Sequence, residues 1–476
     1  MMLDAESCYR ALSTHDARFD GRFFVGVSST RIYCRPVCTV RTPRRENCHF
    51  FPSAAAAEVE GYRPCLRCRP ELAPGNASVD ATARLGQTAV DLIENGALDE
   101  GGLEGLAQKI GVTSRHLRRT FVAQFGVAPV EYAQTQRLLL AKHLLTDTAL
   151  PVTEIALASG FQSVRRFNAL FKARYRMAPS RLRKNAAPHR LPDVLAFELA
   201  YRPPYAFDAM LDFLRARAID GVEVVTTHAY RRTLALEHRG TLHGGTIEVR
   251  RAPRKNALAV KISASFAHVV PLVLSRVKHA FDLGCDPVQV SECLGDLAAA
   301  HPGLRVPGAF DGFELAARAV IGQQITVRAA RTLLGRLTRA LGTPWPALDG
   351  LNAIFPAPAR IAACDPTDIA RIGMPLSRAK TLIAVAAAAA YGDLDLGPGG
   401  DIEATIEKLQ AIGGIGIWTA HYIAMHALRW PDAFLANDRI VLKAMNDTRP
   451  ARALVRSEAW RPWRAYAVMH LWKGVS

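Results

Sequence analysis

Three features of the sequence predict a multidomain fold, mainly α with α+β parts. Its 476 residues exceed what one hydrophobic core organises and suggest roughly three domains. Four cysteines, Cys34, Cys38, Cys65 and Cys68, fall within the first 75 residues and mark a small zinc-bound α/β domain. The hydrophobic pattern is then helical as far as Lys184, mixes strand-like and helical runs from about residue 194 to 300, and is helical again from His301.

Composition sets the partners. Hydrophobic residues make up 49% and charged residues 22%, ample for several soluble cores. The net charge of +17 directs the chain to a polyanion, with double-stranded DNA the expected partner. No membrane is expected, because the longest uncharged apolar run, Leu382–Tyr391, is far short of the ~20 residues that cross a bilayer. The start, MMLDAESCYR, has acids and no apolar stretch of the kind a signal peptide needs, so a cytoplasmic (nucleoid-associated, bacterial) monomer is the expectation. Nine cysteines, an odd number, argue against a secreted disulfide framework.

The expected domains are 1–75, 76–185, 190–300 and 301–476. In the first, C-x3-C and C-x2-C spacings about 26 residues apart suit zinc and leave two readings open, an inert clip or a reactive sulfur. Cys8, Cys48, Cys285, Cys293 and Cys364 lack ligand spacing and read as buried or incidental thiols.

The second domain contains an internal repeat: LAQKIGVTSRHLRRTF (Leu106–Phe121) is echoed by IALASGFQSVRRFNALF (Ile155–Phe171). Each copy has Ala, a Gly four residues on, and a basic helix ending in Phe. Gly111 and Gly160 permit the tight turn between two helices. Arg115, Arg118 and Arg119 in the first copy, and Arg165 and Arg166 in the second, could enter the major groove; the alternative is a basic helical bundle with solvated arginines. No acid occurs from Ile155 to Arg190, a stretch that includes Arg183, Lys184 and Arg190. The polar, proline-bearing NAAPHRLPD then reads as a linker.

In the third domain VEVVTTHAYRRTLAL, TIEVRR and NALAVKISA read as strands, and AFDAMLDFLRARA and VPLVLSRVKHAFDL as helices. The fourth reads as all-α, with GTPWPALDG as a proline-marked loop and IGGIG (Ile412–Gly416) as a turn between helices. Such a turn is either a plain connection or, through its backbone N–H groups, a seat for a DNA phosphate. Asp438, just before RIVLKAM, is placed to cap a helix.

Three resemblances join these observations. YCRPVCTVRTPRRENCHFF with GYRPCLRCRPE resembles the methyl-acceptor domain of Ada-type alkylation-response proteins over residues 3–72. It implies Zn2+, structural and thiolate-activating, on Cys34, Cys38, Cys65 and Cys68. It also implies irreversible transfer of a methyl group from a DNA methylphosphotriester to Cys34. Four thiolates on zinc carry a net charge of about −2 and methylation lowers it to about −1, so Arg31, Arg35, Arg41, Arg44, Arg45, Arg63, Arg67 and Arg69 would meet DNA with less opposition. The GFQSVRRFNALFKARYRMAPSRLR segment is similar to the AraC-type double helix-turn-helix, which implies promoter DNA and RNA polymerase as partners.

From ELAYRPPYAFDAMLDFLRARA through HPGLRVPGAFDGFELAARAVIGQQ to the C-terminus, the chain resembles the helix-hairpin-helix 3-methyladenine DNA glycosylase II family. That implies a catalytic Asp438 and a base pocket of Trp418, Tyr422 and Trp472, for each of which core packing is the alternative. It also implies hairpin contacts at Gly414 and Gly416 and insertion of Gln324 into the vacated gap, although many members carry an apolar residue there. Arg439 stands where the best-known pattern has an aromatic, which bears on substrate range. Trp418 replaces the Schiff-base lysine of bifunctional relatives, so simple hydrolysis is expected, and no cysteine follows Cys364 to hold an iron–sulfur cluster. The PCHR motif of O6-alkylguanine methyltransferases is absent. The whole reads as an alkylation sensor, activator and base-excising enzyme. A regulator with a silent C-terminal half, or a glycosylase with inert N-terminal domains, are the alternatives.

Overall fold

The computed structural model describes residues 4–74, 81–148, 150–182, 193–238, 240–397 and 401–475. The linker NAAPHRLPD, apart from Asp193, lies outside the described residues, as do Gly75, Arg183, Lys184 and Arg190.

The helix Ala5–Ser13 opens the first unit, its N-terminus capped by the Asp4 carboxylate, which accepts from the amides of Glu6 and Ser7. It packs Cys8 and Leu12 against Phe23, Val25 and Cys48 of a small sheet. That sheet has β1 (Phe24–Val27), β2 (Ile32–Cys34), β3 (Cys48–Phe51) and β4 (Arg63–Pro64) in the order β3-β1-β2-β4, with only β2 and β4 parallel.

The repeat folds as two copies of one design. Ala97–Ile110 leads through Gly111 (φ 77°) to Ser114–Phe125, and Val152–Ala158 leads through Gly160 (φ 84°) to Val164–Tyr175. The second helix of each is capped by a hydroxyl, Thr113 to the amide of His116 and Ser163 to that of Arg166. Each buries aromatic-rich residues at intervals of four, Leu117, Phe121 and Phe125 in one and Phe167, Phe171 and Tyr175 in the other. The helix Pro129–Asp147 joins them.

Five antiparallel strands follow: β5 (Val194–Ala200), β6 (Glu223–Val225), β7 (Ala229–His238), β8 (Thr241–Arg251) and β9 (Ala257–Ser263), in the order β5-β9-β8-β7-β6. The helices Phe207–Arg217 and Val270–Ala280 cover the sheet and share its core.

The C-terminal part is helical with one correction. GTPWPALDG is not a loop: Thr343–Leu348 forms β10, paired with β11 (Leu351–Ile354). Pro344 and Pro346 mislead the sequence reading, but β10 pairs with β11 on one side only, a missing N–H on its open edge costs little, and a register shift between Pro344 and Leu348 absorbs the misfit.

Buried polar contacts link the units. Glu58, fully buried, accepts from Tyr33 (3.0 Å), from Thr135 of the joining helix (3.1 Å) and from Tyr175 (3.5 Å). Asp91 pairs with Arg429 at 3.2 Å, and Glu94 with Lys278 at 3.0 Å, tying the helix Ala81–Glu94 to the C-terminal half.

Candidate active site, nucleic-acid interface and metal centre

Ile402–Ala411 and Ile417–His426 are the two helices around the glycine turn. Gly414 has φ 93°, and a Cβ there would lie 2.3 Å from Thr381 Oγ1, so backbone conformation and space both require glycine. Thr381 donates to the carbonyl of Gly413 at 2.7 Å, and Gln323 Nε2 donates to that of Gly414 at 3.0 Å. Gly413, Gly414 and Gly416 face solvent.

Residues 418, 422 and 426 fall on one face of the second helix. Trp418 stacks on Tyr422 with centroids 5.1 Å apart at 14°, and Tyr422 lies 4.5 Å from His426. Trp472, from the helix Arg464–Val475, stands 6.4 Å from both Tyr422 and His426. Trp418, Tyr422 and Trp472 are only half-buried, which leaves aromatic surface for a ligand. His426 was not legible as a site residue, though its i+4 spacing from Tyr422 carried the signal. Burial pushes its ring down to about 4, so it is neutral at pH 7.

Asp438 is where these elements meet. It caps the helix Arg439–Ala444, Oδ1 accepting from the amides of Ile440 (2.9 Å) and Val441 (3.0 Å). Trp472 Nε1 also donates to Oδ1 and Trp418 Nε1 to Oδ2, each at 3.1 Å. The cap expected as an alternative is therefore present together with the aromatic cluster. Gln324, exposed in the turn between Gly312–Ile321 and Val327–Leu341, has a left-handed φ of 56°. Arg439 is exposed beside Asp438.

In the helix-turn-helix units Arg115, Arg118, Arg119, Arg165 and Arg166 are all exposed, on the faces opposite the aromatic core. Solvated arginines on a basic helical bundle would be exposed in the same way.

The sulfurs of Cys34, Cys38, Cys65 and Cys68 lie within 4.8 Å of one another. Zinc with sulfurs at ~2.3 Å spaces tetrahedral neighbours by about 3.8 Å, so the donors fit that ion. The amides of Arg35 and Arg67 point at Cys68 and Cys65 sulfurs, each at 3.4 Å, and favour thiolates. Cys34 is itself buried, and Cys68 is the most accessible of the four. Arg35 is withdrawn from the expected phosphate-seeking set: it is buried, with its guanidinium spent on the Asp20 carboxylate at 2.8 Å and the Cys68 carbonyl at 3.1 Å.

Four family models match in succession: Metal binding domain of Ada (7–71), Helix-turn-helix domain (106–185), AlkA N-terminal domain (196–311) and HhH-GPD superfamily base excision DNA repair protein (317–465). A Mycobacterium tuberculosis protein, "Probable bifunctional transcriptional activator/DNA repair enzyme AlkA", is 38% identical over 485 residues, covering 98% of this chain and 96% of that protein. The chain belongs to this family of bifunctional activator/DNA repair enzymes. The AlkA-type half is also 38% identical to the Escherichia coli "DNA-3-methyladenine glycosylase 2", over 58% of this chain and 96% of that protein. In fold it is like the 3-methyladenine DNA glycosylase of Archaeoglobus fulgidus, with a TM-score of 0.50 at 18% identity over 59% of this chain and 98% of that one. A zinc-binding domain, a helix-turn-helix domain and a glycosylase domain thus stand in one DNA-binding chain. Among the described residues no helix is long and apolar enough to cross a membrane.

Proposed function

We propose that the chain hydrolytically excises alkylated bases such as 3-methyladenine, takes up a methyl group from DNA methylphosphotriesters on Cys34, and thereby activates transcription through contact with RNA polymerase. The proposed division of labour follows domains 1–75, 76–185, 190–300 and 301–476. The observation that carries the reading is the four-donor hold on Asp438 beside a half-buried aromatic cluster.

An alkylated purine is cationic and a good leaving group. Once flipped from the duplex, it finds electron-rich faces at Trp418, Tyr422 and Trp472, where cation–π attraction is worth roughly 0.5–2 kcal/mol. Gln324 fills the gap, and the amides of the Gly414–Gly416 turn take the backbone phosphate. As the C1′–N bond breaks, its electron pair leaves with the base and positive charge develops on the sugar. The Asp438 carboxylate stabilises that charge and takes the proton of the water that attacks C1′. With tryptophan at 418 in place of an amine, no Schiff base forms and the strand stays intact.

At the N-terminus, Cys34, Cys38, Cys65 and Cys68 would hold zinc, which supplies the charge that keeps sulfur in its thiolate form. The Cys34 sulfur bonds the methyl carbon, the C–O bond breaks, and its electrons remain on the phosphate oxygen as an ordinary diester. The exposed arginines Arg115, Arg118, Arg119, Arg165 and Arg166 then hold promoter DNA.

The test is incubation of the zinc-loaded protein with dimethyl sulfate-treated duplex DNA. Expected are free methylated purines, no β-elimination product, and one added methyl group on Cys34 by peptide mass spectrometry. Absence of released base would leave a regulator with a silent C-terminal half. A methyl-free Cys34, on DNA verified to carry methylphosphotriesters, would reduce the cluster to a structural clip.

A further inference from the structure

Gln323 does not stack, carries no charge and touches no proposed reacting atom, yet its side chain bridges two points of the hairpin. Its Nε2 donates to the carbonyl of Gly414 and to Thr419 Oγ1, both at 3.0 Å. The backbone carbonyl of Gln323 accepts from Arg378 at 2.7 Å. Arg378 and Thr381 lie one turn apart on the helix Leu376–Ala390, and Thr381 holds the neighbouring Gly413 carbonyl at 2.7 Å. Three segments therefore close on one joint: the turn after Gly312–Ile321, the glycine hairpin, and the Leu376–Ala390 helix.

Two neighbours make this joint consequential. Gln324 follows directly and holds a left-handed φ of 56°, a conformation that costs a non-glycine residue on the order of 1 kcal/mol or more unless its surroundings impose it. Thr419 follows Trp418, whose indole reaches Asp438. The side chain of Gln323 thus links the exposed tip that would enter the duplex to the residue beside the base-pocket tryptophan, across a single amide.

We propose that Gln323 is a positioning residue for base extrusion, fixing the Gln324 tip at a set distance from the hairpin and from Trp418. This rests on the glycosylase reading and specifies how that site couples its grip on the backbone to base flipping. A carboxylate at 323 keeps the shape but cannot donate to the Gly414 carbonyl, so Gln323→Glu and Gln323→Ala should fail alike.

The test compares single-turnover release of 3-methyladenine from two duplexes, each with one adenine and treated with dimethyl sulfate after annealing. In one the adenine faces thymine; in the other it faces a tetrahydrofuran abasic analogue, so that extrusion costs less. Gln323→Ala and Gln323→Glu are expected to lose about 10–100-fold on the paired target and to recover most of that loss on the unpaired one, with an unchanged melting temperature. Arg378→Ala should show the same recovery and guards against a folding defect peculiar to position 323. Equal losses on both duplexes, or no loss on either, would overturn the positioning role while leaving excision by the wild type intact. A wild type that releases no base from either duplex would overturn both the glycosylase reading and this inference.

Discussion

Trp418 Nε1 lies 3.1 Å from Asp438 Oδ2, while Trp472 Nε1 lies 3.1 Å from Oδ1. The two tryptophans are thus hydrogen-bond donors to the carboxylate as well as aromatic surfaces. Phenylalanine separates these roles. Trp418→Phe keeps a ring against Tyr422 and removes a charge-assisted hydrogen bond, a type worth roughly 1.5–3 kcal/mol. The expected result is a fall in kcat of about 10–100-fold with little change in KM, measured on methylated duplex DNA. A change in KM alone would mean that Trp418 serves only as a stacking surface.

Asp438 is both helix cap and proposed catalyst, and asparagine distinguishes the two. Asn keeps the cap through its one oxygen but turns an NH2 toward the indole N–H of Trp418, so Asp438→Asn should cost about 1.5–3 kcal/mol of stability without losing the cap. Losing the negative charge beside the sugar should lower the excision rate by about 100-fold or more. A variant that is both stable and active would make Asp438 a cap alone.

Metal removal should act locally. The first unit has small cores, such as Cys8, Leu12, Phe23 and Val25, and holds four sulfurs in one space. Chelation of zinc should make residues 4–74 sensitive to protease while base release persists. Protection of that segment in apo protein would show that the fold does not depend on the ion.

The exposed recognition-helix arginines make a salt-dependent prediction. Each arginine that contacts a phosphate adds ~0.9 to the slope of log affinity against log salt, whereas one that reads guanine carries ~1–3 kcal/mol of discrimination. Arg118→Ala and Arg165→Ala, titrated with promoter and random DNA over a salt series, assign each side chain to one class. Affinity and slope unchanged for both would remove these helices from the interface.

Glu58 gives the pH dependence. Burial raises its carboxyl from 4.5 to about 7, against the hydrogen bonds from Tyr33 and Thr135. The folded protein holds a proton there that the unfolded chain releases, so this contribution is complete below pH 4.5 and is lost as pH rises through 7. The loss is roughly 3 kcal/mol. Glu58→Gln should therefore gain stability relative to wild type between pH 5 and pH 8 in urea titrations followed at the N-terminal half. A pH-independent difference would contradict it.

Much of this was legible because the signals are local. The repeat from Leu106 and Ile155, the glycine turn and the cysteine spacing each lie within a short stretch, and each forms the expected element. Strand β10 was missed because two prolines outweigh strand propensity in a reading that cannot see that β10 pairs on one side only. Arg35 looked like its arginine neighbours, since only the fold brings Asp20 to it. The four donors on Asp438 come from residues 418, 440, 441 and 472, and no sequence window spans them. Gln323 was hidden for the same reason, its partners lying 91 and 96 residues away.

The ion pairs Asp91–Arg429 and Glu94–Lys278 have a consequence for how the molecule occupies the genome. They moor the helix Ala81–Glu94 to Arg429, just past the Ile417–His426 helix, and to Lys278 of the helix Val270–Ala280. The helix-turn-helix and glycosylase domains then travel as one body rather than on a flexible tether, so duplex held by one meets the other at a set distance and angle. Time spent on a promoter and time spent patrolling for lesions are drawn from the same residence on DNA, so copy number sets how one duty depletes the other.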